Sequence, residues 1–408
     1  MMKKKTNLKI AHIVSLPRVG GLELAYSEFI NQRFESVAVE HHTILTREFV
    51  VPFLKDYIQQ GSKSIHTLPS YKSKKIIRWL PGLRDYKRKR FFKKIMPDIL
   101  VIWSKPNIRY ILSIKDYVRT VYYEHGASWF EKKESKMKEF LKSVSGIICN
   151  SFAAKRMLEL KWDIERSTRI EVCLNAVRPD CVPSSYQTKK MPQDRPFRLG
   201  TAGRLSPHKG LPLVIHALLE LRKRGFPCEL SVAGTGKELE KLRLLSRELE
   251  VEKNVEFLGF VDDMSAFFSR IDCFVCPSLR EPFGLVCAEA MAHGCPVIAT
   301  KVDGLPEVVQ DLETGFCIAP SLSLEEYTKF GGDLNGLPEY VYNPVTDRLE
   351  DPKILDPHSI ADAVETLYSD PNMYERMSYS ANQIALDKFD YNDHAAQILE
   401  TLMRFHSG

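Results

Sequence analysis

Ser278-Leu279-Arg280-Glu281-Pro282-Phe283-Gly284-Leu285-Val286-Cys287-Ala288-Glu289-Ala290-Met291-Ala292-His293-Gly294-Cys295-Pro296-Val297-Ile298-Ala299-Thr300 decides the fold. A short apolar run before it, Asp272–Cys276, reads as a strand that ends at Pro277. Glu281 then stands in a loop, Gly284 lets the backbone approach a ligand, and a helix spans Leu285–His293 before Gly294 stops it. Pro296–Ala299 opens the next strand. Strand, turn, helix and strand in this order predict a parallel βαβ unit. The amides of Gly284, Leu285 and Val286 are then helix-end donors with no partner inside the helix. Glu289 is the anomaly, because a carboxylate among Cys, Ala and Met is costly to bury unless it accepts strong hydrogen bonds. A ribose diol is one partner that supplies them. Two glutamates eight apart also arise by coincidence in a chain that is 27% charged, so the spacing gains its meaning from the turn and helix around it.

A second loop has the same setting. Gly203-Arg204-Leu205-Ser206-Pro207-His208-Lys209-Gly210 separates a strand at Arg198–Gly203 from a helix at Leu211–Arg224. A helix N-terminus favours an anion, and Arg204 with Lys209 beside it can neutralise a diphosphate. A solvated basic turn is the bland alternative.

Outward from these loops the pattern repeats along 408 residues, a length that suggests two or three domains. Before the junction, β-runs fall at Lys9–Leu16, Ala38–Leu45, Asp98–Trp103, Val118–Glu124 and Gly146–Cys149, with a helix over Leu22–Arg33. After it they fall at Glu229–Ala233, Val255–Leu258 and Gly315–Ile318, with a helix over Lys237–Leu249. Alternating strands and helices predict doubly wound parallel sheets. A proline cluster over Arg178–Pro196 marks the junction. The expected organisation is an N-terminal Rossmann-like acceptor domain over 1–180, a linker over 181–196, and a C-terminal Rossmann-like donor domain over 197–380. A polar surface excursion over 319–358 interrupts the second domain, and a helix over 381–408 packs back toward the first. Residues 1–195 carry 38 Lys and Arg against 19 Asp and Glu, whereas residues 196–408 carry 20 against 33. Halves of opposite sign suggest different partners, the first of them anionic.

These residues carry a resemblance. The stretch Glu281 to Glu289 is similar to the E-x7-E motif of retaining glycosyltransferases of family 4, and the resemblance covers nearly the whole chain, loosely before Arg198 and least between Ile44 and Trp103. Gly20-Gly21 with Glu23, Glu124-His125-Gly126, Asn175-Ala176-Val177, the Arg204 to Lys209 loop, Gly234-Thr235-Gly236 and Gly304-Leu305-Pro306-Glu307 resemble the same family. It implies the GT-B fold, two Rossmann-like doubly wound domains facing across a cleft, and transfer of a hexosyl unit from a nucleotide diphosphate sugar, a uridine one, to a glycan or glycolipid acceptor. Carried over, it gives Arg204 and Lys209 the donor diphosphate, Glu289 the ribose hydroxyls and Glu281 the transferred sugar. The amides of Phe283, Gly284, Leu285 and Val286 help to hold sugar and phosphate. His125 borders the reacting centre, and Gly20 and Gly21 let the first loop come close to donor and acceptor. Retention then follows from attack on the leaving-group face, with a donor phosphate oxygen as base. Negative charge grows on the leaving diphosphate, and fixed cations with helix-end amides stabilise it. Such a site needs no metal or other cofactor, and no D-x-D occurs in the chain, Asp262-Asp263 being the nearest approach. Three positions depart from the family pattern: Ala176 stands for glycine, Val302-Asp303 precedes Gly304 where a double glycine is common, and His208 precedes Lys209.

Between Lys72 and Lys94 stand eleven Lys and Arg and one acid, Asp85, interleaved with Trp79, Phe91 and Phe92. Basic groups near an anionic leaflet contribute ~1 kcal/mol each, so an anionic membrane surface is the expected partner. A solvated face and a nucleic-acid patch are the rivals, and no nucleic-acid signature accompanies the charge. No apolar stretch approaches the ~20 residues of a membrane span. The basic, then apolar N-terminus is read as a first strand leading to Gly20-Gly21 rather than as a secretory signal. Nine cysteines, an odd number, argue for reduced thiols, and Cys273-Phe274-Val275-Cys276 for a buried strand rather than a metal half-site. The location expected is the cytoplasm, at the inner face of the membrane. A nucleotide-sugar epimerase or phosphorylase, or a non-catalytic partner subunit, would keep the same fold.

Overall fold

The computed structural model describes residues 6–68, 81–103, 111, 114, 116–131, 134–162, 164, 168–186 and 188–407. Two compact units emerge: the first takes residues 1–150, 158–173 and 392–408, the second residues 151–157 and 174–391.

In the first unit the strands are β1 (Thr6–Val14), β2 (Val37–Leu45), β3 (Ser64–Thr67), β4 (Ile99–Ile102), β5 (Arg119–Glu124), β6 (Gly146–Cys149) and β7 (Ile170–Val172). Among the described residues they form one parallel sheet in the order β3-β2-β1-β4-β5-β6-β7, with Ile13 in register with Ile44 on one side and Ile102 on the other. Every residue of β4 and β6 is buried, as a parallel strand covered on both faces requires. β3 and β7 are the polar edges, and no long apolar run announces either in the sequence. The helix Tyr391–Ser407 belongs to this unit, where a Cβ on Gly146 would meet the Phe405 ring at 2.5 Å.

The second unit holds β8 (Phe197–Ala202), β9 (Cys228–Ala233), β10 (Val255–Gly259), β11 (Cys273–Cys276), β12 (Val297–Thr300) and β13 (Gly315–Ile318). Their order is β10-β9-β8-β11-β12-β13, again parallel. The strand order reverses between β8 and β11, and open α/β sheets bind ligands beyond the strand ends at such a point. Leu213, Val214, Leu218 and Leu221 of the helix Leu211–Lys223 are fully buried in the core on one face. Cys273 and Cys276 are buried β11 residues, and all nine cysteines are buried thiols.

The polar segment 319–358 is more anchored than its composition suggests. It forms a helix, Leu324–Lys329, closed by a Ser323/Glu326 capping box, and an antiparallel hairpin, β14 (Val341–Asn343) with β15 (Arg348–Glu350). Tyr327 is fully buried and its hydroxyl donates to the Pro207 carbonyl at 2.6 Å, tying the excursion to the loop that carries Lys209.

Candidate functional site

The loops after β8 and β11 are pressed together through glycine. Gly210 sits at φ 67°, and a Cβ there would lie 2.1 Å from the Pro277 carbonyl oxygen, so no other residue fits without moving backbone. The Leu279 amide donates to the His208 carbonyl at 2.9 Å and closes the junction. Between the loops lies a small pocket lined by Gly203, Arg204, Leu205, Lys209, Cys276 and Ser278. Its ammonium, Lys209 Nζ, donates to Glu281 Oε2. Burial opposes that charge, but the facing carboxylate outweighs burial and holds Lys209 above its ordinary range. The structure thus joins Lys209 to Glu281 across 72 residues of sequence and sets Arg204 on the same pocket.

Glu281 is placed by its neighbour Asp303. Asp303 is buried at φ 48°, a conformation a glycine adopts more easily, and its carboxylate accepts from the amides of Glu281 (3.0 Å) and Tyr342 (2.7 Å). Gly304 N–H returns a bond to the Glu281 carbonyl at 3.1 Å. The departure from a double glycine is therefore a gain of two charge-assisted hydrogen bonds. Gly284, at φ 98°, caps the helix Leu285–Ala292, and no side chain caps its first turn. Phe283 is buried against Phe389 at 5.5 Å between ring centroids, so its side chain serves packing.

Glu289, 5% exposed, lies on that helix, and its partner is a residue that sequence reasoning assigned only to the interdomain junction. Arg178 Nε donates to Glu289 Oε1 at 2.7 Å. Burial pushes Glu289 above the usual carboxylate range while Arg178 pulls it back. Arg178 directly follows Asn175-Ala176-Val177, and a lone Arg beside Pro179 carries no periodicity to reveal it. Glu307 was placed by resemblance without a role. Its carboxylate accepts from the amides of Phe152 (2.8 Å) and Ala153 (2.7 Å), in the first turn of the helix Phe152–Trp162, where Ser151 Oγ accepts from the Ala154 amide at 2.9 Å.

The remaining expected site residues lie in the first unit. His125 follows β5 and stacks on Trp103, 5.4 Å between centroids and 17° between planes. Its Nε2 is buried with no hydrogen-bond partner among the described residues, and burial, then His394, pushes its pKa down to about 3. A neutral imidazole with one open nitrogen can give or take a hydrogen bond but carries no charge. The turn beneath it is fixed by Glu124, fully buried, which accepts from Tyr122 Oη at 2.7 Å and from the Gly126 amide. Gly20 precedes the helix Gly21–Asn31 in extended backbone, φ −168°. Glu23 in its first turn is buried 3.9 Å from Arg18.

Part of the basic segment Lys72–Lys94 falls outside the described residues, namely 72–80 and the side chains of Arg84, Asp85, Lys87 and Arg88. On the helix Pro81–Ile95, Arg90, Lys93 and Lys94 are exposed and Phe92 is buried. The ammonium groups of Lys89 and Lys93 lie 5.1 and 5.9 Å from the Tyr117 ring centroid. Among the described residues no helix is long and apolar enough to cross a membrane.

Known proteins resemble this chain in sequence and fold. Residues 186–329 match the family described as Glycosyl transferases group 1. An uncharacterized glycosyltransferase of Methanocaldococcus jannaschii is 38% identical over 120 residues, 29% of this chain and 30% of that protein. A lipopolysaccharide core biosynthesis glycosyltransferase of Rhizobium meliloti is 29% identical over 244 residues, 58% of this chain and 65% of the relative. The matches thus span less than two thirds of these relatives. Among solved structures, Anabaena HepE in complex with UDP and glucose superposes with a TM-score of 0.73 at 19% identity, over 97% of this chain and all of that one. A glycosyltransferase from Rickettsia africae gives 0.75 at 16% identity, over 98% of both chains. Residues 186–329 are thus similar to the glycosyl transferases group 1 family, and the two Rossmann-like units have the fold of GT-B glycosyltransferases.

Proposed function

We propose that this protein is a retaining glycosyltransferase of the family 4 type, which moves a hexosyl unit from a UDP-sugar to a lipopolysaccharide, lipid-linked or surface-polysaccharide acceptor at the membrane. The observation that carries the reading is the Lys209–Glu281 pair at the β8/β11 switch point, with Arg204 on the same pocket. A diphosphate needs cations in place before its charge develops, and Arg204 and Lys209 stand on one pocket, with the tight Gly210–Pro277 backbone contact directly after Lys209. Glu281, freed from Lys209 by the incoming phosphate, is then an acceptor for sugar hydroxyls. The open first turn of the helix Leu285–Ala292 adds N–H donors. Glu289 takes the ribose. His125 is assigned to the reacting centre by resemblance, and its uncharged ring, with an Nε2 unpartnered among the described residues, suits a hydrogen bond to a sugar.

HepE is described in complex with UDP and glucose, and the R. meliloti relative as a lipopolysaccharide core enzyme, which supports the donor and acceptor classes. No metal is required by this scheme, since cationic side chains do the work of charge neutralisation. The basic helix Pro81–Ile95 supports a peripheral membrane location at the inner face.

The test is the anomeric configuration of the product. Incubated with α-configured UDP-hexoses and an acceptor extract, the protein should release UDP and form an α-linked product, read by proton NMR. A β-linked product would overturn retention. Epimerised donor without UDP release would favour the epimerase reading instead.

A further inference from the structure

Arg178 is more than a counter-ion. Its Nε donates to Glu289 Oε1 at 2.7 Å, its Nη1 to Asp180 Oδ2 at 3.0 Å and its Nη2 to Cys181 Sγ at 2.9 Å. The backbone on both sides is fixed as well, by Val177 N–H to the Phe389 carbonyl and Cys181 N–H to the Arg178 carbonyl, each 2.9 Å. A planar guanidinium gripped at three nitrogens has one orientation, and the carboxylate it touches inherits that orientation. Arg178 is 6% exposed and Glu289 5%, so solvent does little to loosen the pair.

The geometry commits one carboxylate oxygen, Oε1, to the protein and leaves the recognition of a ligand to Oε2. An ionised carboxylate only accepts, so a ligand satisfies it only by presenting a donor. We propose that Arg178 is a positioning residue which fixes Glu289 as an obligate acceptor, and that this makes the site select nucleotides with an intact ribose diol over deoxyribonucleotides. The inference rests on the reading of Glu289 as the ribose ligand. It differs from a plain structural ion pair in one respect. Without Arg178 nothing offsets the burial that pushes the Glu289 carboxyl up, so the carboxyl takes a proton more readily. A protonated carboxyl both donates and accepts, and its discrimination against a missing hydroxyl falls.

The experiment is a calorimetric titration of the full-length protein with UDP, 2′-deoxy-UDP and 3′-deoxy-UDP at pH 7.5 and pH 9, on wild type, Arg178→Met, Arg178→Lys, Glu289→Gln and the double variant Arg178→Met/Glu289→Gln. Thermal melts confirm folding, with the double variant as the reference that buries no unpaired charge. Wild type should prefer UDP over a deoxy analogue by about 10- to 100-fold at both pH values, the scale of one hydrogen bond to a charged group. Arg178→Met should lose most of that preference at pH 7.5 and regain part of it at pH 9, where the carboxyl is more ionised than at pH 7.5. Arg178→Lys keeps the charge without the three-point grip, so its preference should drop with no recovery at pH 9, and it reads the same point should Arg178→Met melt early. A folded Arg178→Met or Arg178→Lys protein with the wild-type preference at both pH values overturns the inference. Loss of the preference in Glu289→Gln alongside that result leaves the ribose reading standing. An unchanged preference in Glu289→Gln instead defeats the ribose reading itself.

Discussion

At the scale of single residues, buried and half-buried charge organises this protein's second unit. Lys209 faces Glu281, Arg178 faces Glu289, and Asp303 holds two amides. Lys209, Glu281 and Glu289 were legible in the sequence because each stands where a charge interrupts a turn or an apolar helix. Arg178 and Asp303 were not, since their roles depend on partners 111 and 22 or more residues away that no local pattern announces. The Asp303 geometry makes a prediction of its own. Asp303→Gly relieves the positive φ but strips the amides of Glu281 and Tyr342 of their acceptor, and should cost the second unit about 2 kcal/mol, the difference between two charged hydrogen bonds and a modest backbone relief. Urea unfolding measures it. A variant as stable as wild type would show that the aspartate replaces the common glycine at no structural gain.

At the scale of elements, the strands with continuous apolar runs, such as β4, β6 and β11, coincide with their sequence readings because burial on both faces demands one residue class throughout. The edges β3 and β7 escaped because a strand with one open side tolerates His, Glu and Thr. The segment 319–358 looked like a loose excursion because its anchors, Tyr327 and Tyr342, are single aromatics among polar residues. The helix Phe152–Trp162 shows how an element end becomes titratable. Glu307 accepts from its first two amides, which lower its pKa, yet burial prevails and raises it from 4.5 to about 7. Across that window the folded protein keeps a proton that the unfolded chain has released, so stability falls as pH rises from about 4.5 to about 7. Glu307→Gln should flatten this slope in denaturant midpoints taken every half pH unit. An identical slope in the variant would assign the titration elsewhere.

At the scale of the whole molecule, the division of charge matches the division of labour that the proposed function requires. Residues 1–195 are strongly basic and residues 196–408 acidic, so any long-range attraction to an anionic surface belongs to the N-terminal half of the chain. Replacing Lys89, Arg90, Lys93 and Lys94 with glutamine should reduce cosedimentation with phosphatidylglycerol-rich vesicles at least tenfold, since each basic group near the surface contributes ~1 kcal/mol. Donor affinity should not change. Equal vesicle binding by variant and wild type would leave that helix as a solvated face.

The central claim is that the second unit binds a nucleotide sugar through Arg204, Lys209, Glu281 and Glu289, and a thermal-shift screen of UDP-, GDP- and ADP-hexoses without added metal tests it most directly. A ligand at about 100 times its dissociation constant stabilises by roughly 2.7 kcal/mol. The account predicts a clear rise in melting temperature with a UDP-hexose, lost in Lys209→Ala and in Glu289→Ala. No rise with any of these donors, or a rise that survives both substitutions, would contradict it.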